Sequence, residues 1–364
     1  MGKARRARFF VGIHEIGDYS LRLSQGLRAN GCDVTNVVIA PRSPLLERAE
    51  THDRHIVLSK RRRRRDLQLA KEFLRYVRGH DVFVFVFAQS FTSHLAADEH
   101  RLLRKLAYVD LALLKALGKK SVVVFLGDDV RSRRMLLEET EEAGLDAHAK
   151  YARIEIGLNV GGRDGLRRRR ARRIERYATH IFAQPSYAHL LTREYHFMWL
   201  PVNLAAFDFS IGQTQCPLVI HAPSNPTFKG TAHVLDAVRR LKEEGYEFRF
   251  ELCQGMKNER VRELLSAADI VVDQVIIPSH GLFAVEAMAS GCAVLGSVVP
   301  GYNGFPADLP IMTTTPDTLY MNLKLLLGDE KLRADMAHAG RVYVEEHHDH
   351  VKVAGDFLRR IGEA

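Results

Sequence analysis

One stretch carries the most structural information: Pro278-Ser279-His280-Gly281-Leu282-Phe283-Ala284-Val285-Glu286-Ala287-Met288-Ala289-Ser290-Gly291. It predicts a loop that opens into a short apolar helix over 282–290, in which Glu286 is the only charged residue. A carboxylate among apolar side chains is costly to bury unpaired, so Glu286 should face a sugar diol or a cation; the alternative is a solvent-facing position. The helix start after Gly281 offers N–H groups and a positive dipole end, which favours phosphate.

A second stretch has the same layout. A predicted strand over 218–221 leads through a loop into an amphipathic helix near 231–244, and Lys229 comes just before this helix. A lysine at the mouth of a sheet can neutralise a diphosphate as a compact charge, although a single lysine is more often simply solvated.

Short runs rich in Val, Ile and Phe alternate with helical patterns along nearly the whole chain, which predicts an α/β fold with parallel sheets. The predicted strands are 9–13, 34–39, 82–88, 121–126, 180–183, 218–221, 248–252, 270–273 and 293–297. The further predicted helices of the second half lie near 259–267 and 282–290. In the first helix, Asp18 is expected to cap the start and Asn30-Gly31 to form the end.

The composition is that of an ordinary globular protein, with 46% apolar and 27% charged residues among 364, which excludes collagen and disordered chains. This length predicts two domains, and the aperiodic stretch 201–217 is the expected linker. Residues 1–200 carry 38 basic and 23 acidic side chains, net +15, whereas residues 201–364 carry 15 and 21, net −6. The first half is therefore expected to meet an anionic partner.

The four cysteines show no metal-ligand spacing and are expected to be reduced, buried thiols. No secretory leader and no apolar run of about 20 residues is found, so a cytoplasmic protein that does not span a membrane is expected. Phosphate-loop, Rossmann and G-x-S-x-G motifs are absent, which disfavours kinases, dehydrogenases and serine hydrolases.

The sequence Gly127-Asp128-Asp129-Val130-Arg131 follows a predicted strand and should lie where ligands of parallel sheets bind. Asp129 and Arg131 are candidates for binding sugar hydroxyls or an acceptor phosphate. The alternative is that an aspartate caps a helix beginning near Arg131. A metal-binding pair is not expected, because adjacent side chains point apart and no third ligand is evident.

Two basic runs, Lys60–Arg65 and Arg167–Arg173, lie in the first half. Each charge near an anionic bilayer contributes about 1 kcal/mol, so these runs predict peripheral docking on the inner face of a membrane. No nucleic-acid partner is expected, because no binding motif and little aromatic interleaving accompany the runs. A merely solvated face is the alternative.

The spacing from Lys229-Gly230 to Gly281-Leu282 and Glu286–Gly291 resembles the nucleotide-sugar-binding domain of retaining glycosyltransferases of family 4, which have the GT-B fold. The first half resembles the family's acceptor domain, and the tail resembles its closing helices. The resemblance implies two Rossmann-like parallel-sheet domains facing across a cleft. These would be an acceptor domain over 1–202, a nucleotide-sugar domain over 203–345, and a final helix over 346–364 that crosses back to the first domain.

The resemblance also implies an activity: transfer of a sugar, with retention, from a nucleotide diphosphate sugar to a hydroxyl acceptor. The acceptors implied include lipid-linked ones. Cell-surface polysaccharide or glycolipid synthesis is the expected setting, with no cofactor and no obligatory metal. Lys229 would hold the diphosphate and Glu286 the ribose hydroxyls, and both are the expected catalytic residues. The expected donor contacts are Ser224, Asn225, Lys229, His280, Gly281, Leu282, Phe283 and Glu286. The expected acceptor or sugar contacts are Gly12, Gly17, Asp129 and Arg131.

The chain departs from the family pattern at three positions, where Ser224 replaces an arginine, Pro278 a glutamate and Leu126 a histidine. His280 or Arg131 is the candidate to compensate. These departures leave two rival readings, a GT-B nucleotide-sugar epimerase and a non-catalytic nucleotide-sugar-binding relative.

Overall fold

A computed structural model of the chain describes residues 7–39, 52–97, 101–156, 161–212 and 216–363. Its strands are β1 (Arg8–Ile13), β2 (Asp33–Ile39), β3 (Arg54–Ile56), β4 (Val82–Val86), β5 (Lys120–Val124), β6 (His180–Ala183), β7 (His196–Phe197), β8 (Leu218–His221), β9 (Arg249–Leu252), β10 (Ile270–Val272), β11 (Ala293–Gly296) and β12 (Ile311–Thr313). Its helices are α1 (Tyr19–Ala29), α2 (Arg62–Val77), α3 (Arg101–Lys105), α4 (Val109–Ala116), α5 (Arg133–Glu142), α6 (Asp146–Tyr151), α7 (Gly161–Tyr177), α8 (Pro226–Lys229), α9 (Thr231–Glu243), α10 (Asn258–Leu265), α11 (Leu282–Ser290), α12 (Pro316–Gly328), α13 (Glu330–His347) and α14 (His350–Ile361).

The chain divides into two compact units. The first holds the described residues of 7–132, 161–201 and 350–363, and the second holds those of 133–156 and 202–349. Residues 133–156, expected in the first domain, thus belong to the second unit. The reason is packing, because Leu136 and Ala149 of α5 and α6 are buried in the same apolar cluster as Val219 of β8.

The first unit contains a parallel sheet in the order β3-β2-β1-β4-β5-β6-β7. All five residues of β4 are buried, as a central strand covered on both faces requires, and their run of Val and Phe made the strand predictable. The predicted strand 82–88 ends two residues early because Phe87 and Ala88 have φ of 57° and 50°, outside the β region.

Helix α1 begins and ends close to the predicted positions, but Asp18 does not cap it with its side chain. Asp18 instead lies 3.6 Å from the guanidinium of Arg22. The Glu15 carboxylate accepts the N–H groups of Ser20 and Leu21, each at 3.1 Å. A three-residue reversal through Gly17, with φ of 58°, brings Glu15 over the helix start.

The final helix, α14, packs on α1 of the first unit. A Cβ added at Gly26 would lie 2.0 Å from the carbonyl oxygen of His350, so only glycine allows the two backbones to approach this closely. Asn30 Nδ2 donates to the carbonyl oxygen of Val351 at 2.9 Å, and the rings of Phe182 and Phe357 stack at 4.8 Å. The predicted return of the last helix to the first unit is confirmed, with its start at His350 instead of 346.

The second unit contains a parallel sheet in the order β12-β11-β10-β8-β9. Its central strand β10 pairs with β8 and β11, so that Ile270 lies opposite both Val219 and Ala293. The predicted strand over 218–221 and the predicted helix over 282–290 are found with the same bounds. The predicted class, two parallel-sheet α/β domains, is confirmed.

Candidate functional site

The two most informative stretches meet at one edge of the second unit's sheet. Lys229 ends the short helix α8 after β8, and Asp273 directly follows β10. Because β8 and β10 are neighbouring parallel strands, the segments that leave their carboxyl ends emerge side by side. This is the edge at which ligands of parallel sheets commonly bind.

Lys229 and Asp273 form a buried ion pair at this edge. The ammonium Nζ lies 2.5 Å from Oδ1 of Asp273, and the two side chains are 12% and 1% exposed. The second carboxylate oxygen, Oδ2, accepts the N–H of Gly281 at 2.9 Å. The two donors predicted to grip phosphate, the lysine and the start of α11, therefore converge on one anionic group, an internal carboxylate.

The surroundings of Asp273 keep it ionised. Burial by itself raises the pKa of its carboxyl group, but the charge of Lys229 and the N–H of Gly281 lower that pKa by more, so the net shift is downward. The pair is thus ionic at neutral pH. Each partner offsets the cost of burying the other.

Helix α11 presents one partly exposed face. Leu282, Phe283 and Glu286 are half-buried, whereas its other six residues are buried. These three are the residues of α11 that were predicted to contact the donor. The first N–H groups of a helix have no acceptor within it, so the first turn of α11 also retains donor capacity beyond Gly281.

Glycines keep this edge open at two points. A Cβ at Gly281 would lie 3.1 Å from Nζ of Lys229, which would crowd the ammonium. Gly230 has φ of 74°, and a Cβ there would lie 2.5 Å from Cγ2 of Val275. Position 230 therefore requires glycine, whereas a side chain at position 281 would displace the ammonium of Lys229 by a few tenths of an ångström.

His280 lies just before Gly281 and is 95% buried. Its ring packs against Phe305 and His348, at centroid distances of 4.9 and 5.8 Å. Its Nε2 has no hydrogen-bond partner among the residues that the structure describes. Burial lowers the pKa of His280 below 6.5, so the ring is uncharged at neutral pH and does not supply the positive charge lost at Ser224.

Ser224 and Asn225, two further expected donor contacts, are exposed. The side chain of Asn225 caps α8 by accepting the N–H of Phe228 at 3.3 Å. Asn225 thus has a structural reason for its residue type, and a donor contact for either residue stays a prediction.

Two residues that sequence reasoning did not single out hold this edge together. Asp273 was expected only as the end of a strand. His221 accepts or donates through Nδ1 to the carbonyl of Val272 at 2.7 Å and through Nε2 to the hydroxyl of Thr231 at 2.9 Å. Both are polar residues at the end of an apolar strand, which is the signal that identifies them.

In the first unit, the glycines expected to contact the acceptor have backbone roles. Gly12 lies in β1, where an added Cβ would be 2.1 Å from the carbonyl oxygen of Val37. Gly17 lies in the loop that follows, with φ of 58°. Contact with an acceptor remains a prediction for both.

The Asp129 carboxylate closes its own loop. It accepts the N–H groups of Leu126 and Gly127 at 3.2 and 2.9 Å, and burial raises its pKa to about 7. The predicted cap of a helix near Arg131 is wrong, because the next helix, α5, begins at Arg133 within the other unit. Asp129 thus has a structural role in this loop, and sugar binding by it stays a prediction.

The Arg131 side chain is also largely buried. Its guanidinium lies over the ring of Tyr187, 5.6 Å from the centroid, and 3.7 Å from the Asp128 carboxylate. Burial lowers the pKa of Arg131 from its usual value, an effect that the neighbouring carboxylates partly offset. Contact of Arg131 with sugar or acceptor remains a prediction.

Within the described ranges, no three His, Cys, Asp or Glu side chains are grouped so that they could hold a metal ion. No helix in those ranges has the length and apolar character to cross a bilayer. Cys253 and Cys292 are buried, but Cys32 is half-buried and Cys216 is exposed, so the expectation that all four thiols are buried holds for only two of them.

No family model matches the sequence, and no curated protein sequence matches it. Solved structures do match over nearly the whole chain. Sucrose-phosphate synthase from Thermosynechococcus elongatus is 14% identical, with 98% of this chain and 99% of that chain covered and a TM-score of 0.61. HepE of Anabaena, solved in complex with UDP-glucose, is 12% identical, with 98% and 99% covered and a TM-score of 0.60. Starch synthase IV from Arabidopsis thaliana, solved with ADP and acarbose, is 12% identical, with 98% of each chain covered and a TM-score of 0.58. At identities this low, the structural similarity establishes the fold alone. The two parallel-sheet units of this chain accordingly have the GT-B fold, which the glycosyltransferases among its structural neighbours share.

Proposed function

We propose that this chain is a glycosyltransferase that moves a sugar from a nucleotide diphosphate sugar to a hydroxyl acceptor, with retention at the anomeric carbon. The observation that carries the proposal is the convergence of Lys229 Nζ and the Gly281 N–H on one buried carboxylate at the ligand-binding edge of the second sheet. A site that binds carboxylate oxygens with a cation and an N–H has the donors that a diphosphate requires.

The diphosphate does not need to displace Asp273. A lysine ammonium has three N–H donors, and Asp273 takes one of them. The remaining donors of Lys229 and the first-turn N–H groups of α11 are available for diphosphate oxygens. As the bond between the sugar and the diphosphate breaks, negative charge grows on these oxygens, and fixed donors stabilise that charge without reorganising.

Glu286 is proposed to bind the ribose. It lies on the partly exposed face of α11 one turn after Leu282, so a nucleotide whose diphosphate sits at the helix start would place its ribose alongside that face. A carboxylate accepts both hydroxyls of a diol. No obligatory metal is proposed, because Lys229 and the helix dipole supply the positive charge.

The solved structures support a nucleotide ligand. The HepE structure contains UDP-glucose, and the starch synthase structure contains ADP. We extend the proposal to synthesis of cell-surface polysaccharide or glycolipid, with a cytoplasmic enzyme peripheral to the membrane and an acceptor that is lipid-linked.

One observation favours a second candidate, a nucleotide-sugar-binding protein without turnover. Asp273 offsets part of the charge of Lys229, and Ser224 stands where the family pattern has an arginine. Both features reduce the positive charge that could stabilise a departing diphosphate. An intact donor, which carries less negative charge, would still be bound.

Calorimetry with uridine, guanosine and adenosine diphosphate sugars tests the proposal, followed by product analysis with hydroxyl acceptors. Glu286→Gln should weaken donor binding about tenfold or more, because an amide accepts fewer hydrogen bonds from a diol than a carboxylate does. Glu263→Gln on α10 is the matched control, since Glu263 is exposed and its carboxylate pairs with Arg260, which is exposed as well. Unchanged affinity in Glu286→Gln would contradict the ribose assignment.

The products separate the rival readings. A glycosylated acceptor with unchanged anomeric configuration supports the proposed transferase. Binding without turnover supports the second candidate, and an isomerised donor without transfer supports an epimerase.

A further inference from the structure

Exposed apolar side chains of the first unit are concentrated on a few helices. Of the 16 large apolar residues that are exposed in the described part of the chain, seven lie on α2 or on the α3–α4 segment: Leu67, Leu74, Leu102, Leu106, Val109, Leu113 and Leu117. Single exposed apolar residues are ordinary, but a contiguous set marks an interaction surface.

Five of the seven lie along the α3–α4 segment and are called the apolar stripe here. Val109, Leu113 and Leu117 recur at intervals of four residues on one face of α4, and Leu102 and Leu106 lie in α3 and in the turn that follows it. The segment buries Leu111 and Leu114 on its other side, whereas Leu102 and Leu117 are 75% and 59% exposed. The segment is therefore apolar on two sides, and only one of them is covered by the unit's own core.

The helices α2, α4 and α7 lie on the same face of the sheet. They connect β3 to β4, β4 to β5 and β5 to β6, all in the same direction across the strand order, and right-handed crossovers place such connections on one face. Two contacts agree with this. His94, which lies between β4 and α3, places its Nε2 3.1 Å from the carboxylate of Asp66 of α2. Lys115 of α4 donates to the carbonyl of Arg176 of α7 at 3.1 Å.

A strongly basic groove lies beside the apolar stripe. It has a volume of about 470 Å³, and its lining residues are Ala96, Arg104, Lys105, Arg169, Arg170, Arg172 and Arg173. Six of these seven are cationic and none is acidic. Arg173 fixes α7 to the α3–α4 segment by donating to the carbonyl of Ala107 at 3.1 Å.

Among the residues that the structure describes, the lining of this groove includes no acidic side chain to neutralise its cations. Nε of Arg170 is buried and has no hydrogen-bond partner among the described residues. The run at 60–65 differs, because Arg62 and Arg65 lie 3.9 and 3.6 Å from the Asp66 carboxylate. Six like charges around one groove repel each other, and an anion bound among them relieves that repulsion.

We propose that the helical face formed by α2, α3–α4 and α7, here called the docking face, binds an anionic lipid bilayer. Its leucines enter the interface between headgroups and acyl chains, and the groove of α3 and α7 binds phosphate-bearing headgroups. This goes beyond attraction by two basic runs, because it adds an apolar contribution that salt does not screen and assigns headgroup binding to the second run.

The chemistry of the docking face favours a bilayer over a nucleic acid. A nucleic acid would satisfy the arginines but leave the aliphatic stripe in water, since single strands bind proteins by stacking on aromatic rings, and none of the seven exposed residues is aromatic. A bilayer satisfies both parts, as it does for amphipathic helices that lie in the interface.

Vesicle flotation of the full chain tests the proposal, with phosphatidylcholine vesicles that either contain or lack phosphatidylglycerol, each at low and high salt. The wild type should float with the anionic vesicles and keep part of its binding at high salt. Leu106→Ser/Leu113→Ser should lower the partition coefficient about tenfold, because two apolar side chains no longer insert. Met321→Ser/Leu325→Ser on α12 removes two exposed apolar side chains elsewhere and should leave flotation unchanged.

A second pair of variants tests the groove. Arg169→Glu/Arg172→Glu should abolish the preference for phosphatidylglycerol, whereas Arg239→Glu/Arg260→Glu, with two exposed arginines of the second unit, should not. Circular dichroism and donor calorimetry check folding, and unaltered donor binding separates failure here from failure of the transferase proposal.

Three results would overturn the docking face: equal flotation with and without phosphatidylglycerol, wild-type flotation by Leu106→Ser/Leu113→Ser, or binding of an RNA oligonucleotide in place of vesicles.

Discussion

Two buried aspartates, one in each unit, occupy comparable places and behave in opposite ways. Asp129 follows β5 and Asp273 follows β10, and each carboxylate accepts backbone N–H groups of its own loop. Burial raises the pKa of Asp129 to about 7, whereas the net shift of the pKa of Asp273 is downward. The difference is Lys229, whose ammonium lies 2.5 Å from Asp273, while at Asp129 burial outweighs the charge of Arg131. Backbone N–H groups alone thus do not keep a buried carboxylate ionised, and the cation is what makes one of these loops an ionic site.

Lys229→Met is the strongest test of this difference between the two aspartates. It leaves the Asp273 carboxylate buried without its cation, and removal of one partner of a buried pair costs about 3–5 kcal/mol. We expect that loss in the free energy of opening of the second unit, measured by native-state hydrogen exchange of the β10 amides.

A double variant provides the control for that experiment. Lys229→Met/Asp273→Leu removes both charges and should recover most of the lost stability, because an apolar pair is not penalised by burial. If Lys229→Met alone lowers the free energy of opening at the β10 amides by less than about 1 kcal/mol, the ammonium of Lys229 is not what keeps Asp273 ionised.

The pH dependence of stability separates the two aspartates. A pKa of about 7 in the folded protein, above the ordinary 3.8, means that folding binds a proton, so the stability conferred by Asp129 falls as pH rises from about 4 to about 7. The total loss is at most about 4 kcal/mol. Asp273 has the opposite sign: its contribution is complete above its ordinary pKa and is lost only as pH falls through its lowered value.

The fluorescence of Trp199, the only tryptophan, reports on the first unit, and urea unfolding followed at this residue measures the slope. Asp129→Asn should flatten the profile between pH 4 and pH 7, whereas Asp128→Asn, at a position 58% exposed, should leave it as in the wild type. A wild-type profile that is already flat would mean that burial does not raise the pKa of Asp129.

A smaller effect is expected at the glycine that follows Lys229. Gly230→Ala combines a φ of 74° with a Cβ 2.5 Å from Val275, and should destabilise the second unit by about 1–3 kcal/mol. Gly245→Ala, with φ of 87° and open space around the new Cβ, isolates the backbone cost and should lose less. Thermal unfolding of both variants by circular dichroism gives the comparison. Equal losses of stability would show that the Val275 side chain moves away from the new Cβ without a measurable cost.

The central strands were predictable because burial on both faces forces a continuous apolar run, as in Val82–Val86. The short strands Arg54–Ile56, His196–Phe197 and Ile311–Thr313 were not, because two or three residues carry no period and their pairing is decided by the neighbouring strand. The placement of 133–156 in the second unit was equally hidden, since only tertiary packing determines which core a surface helix covers.

The site was partly predictable for the same kind of reason. Lys229 stands after a strand, Gly281 precedes a helix and Glu286 lies one turn into that helix, so local rules place them, while their contact with a donor stays a prediction. The role of Asp273 depends on the loop after β10 folding back until Gly281 meets the carboxylate, and Glu15 replaces Asp18 at the start of α1 through a comparable reversal. Such contacts join residues five to eight positions apart through irregular backbone, for which no periodic signal exists.

The packing of α14 against α1 has a consequence for how the protein is made. Gly26 leaves the ribosome early, but the backbone at His350 that fits against it is translated only after all the strands of the second unit. The surface of α1 that α14 covers therefore stays exposed while about 150 intervening residues, which belong to another core, are synthesised. A stalled or prematurely terminated chain that lacks α14 would expose this surface to chaperones and proteases.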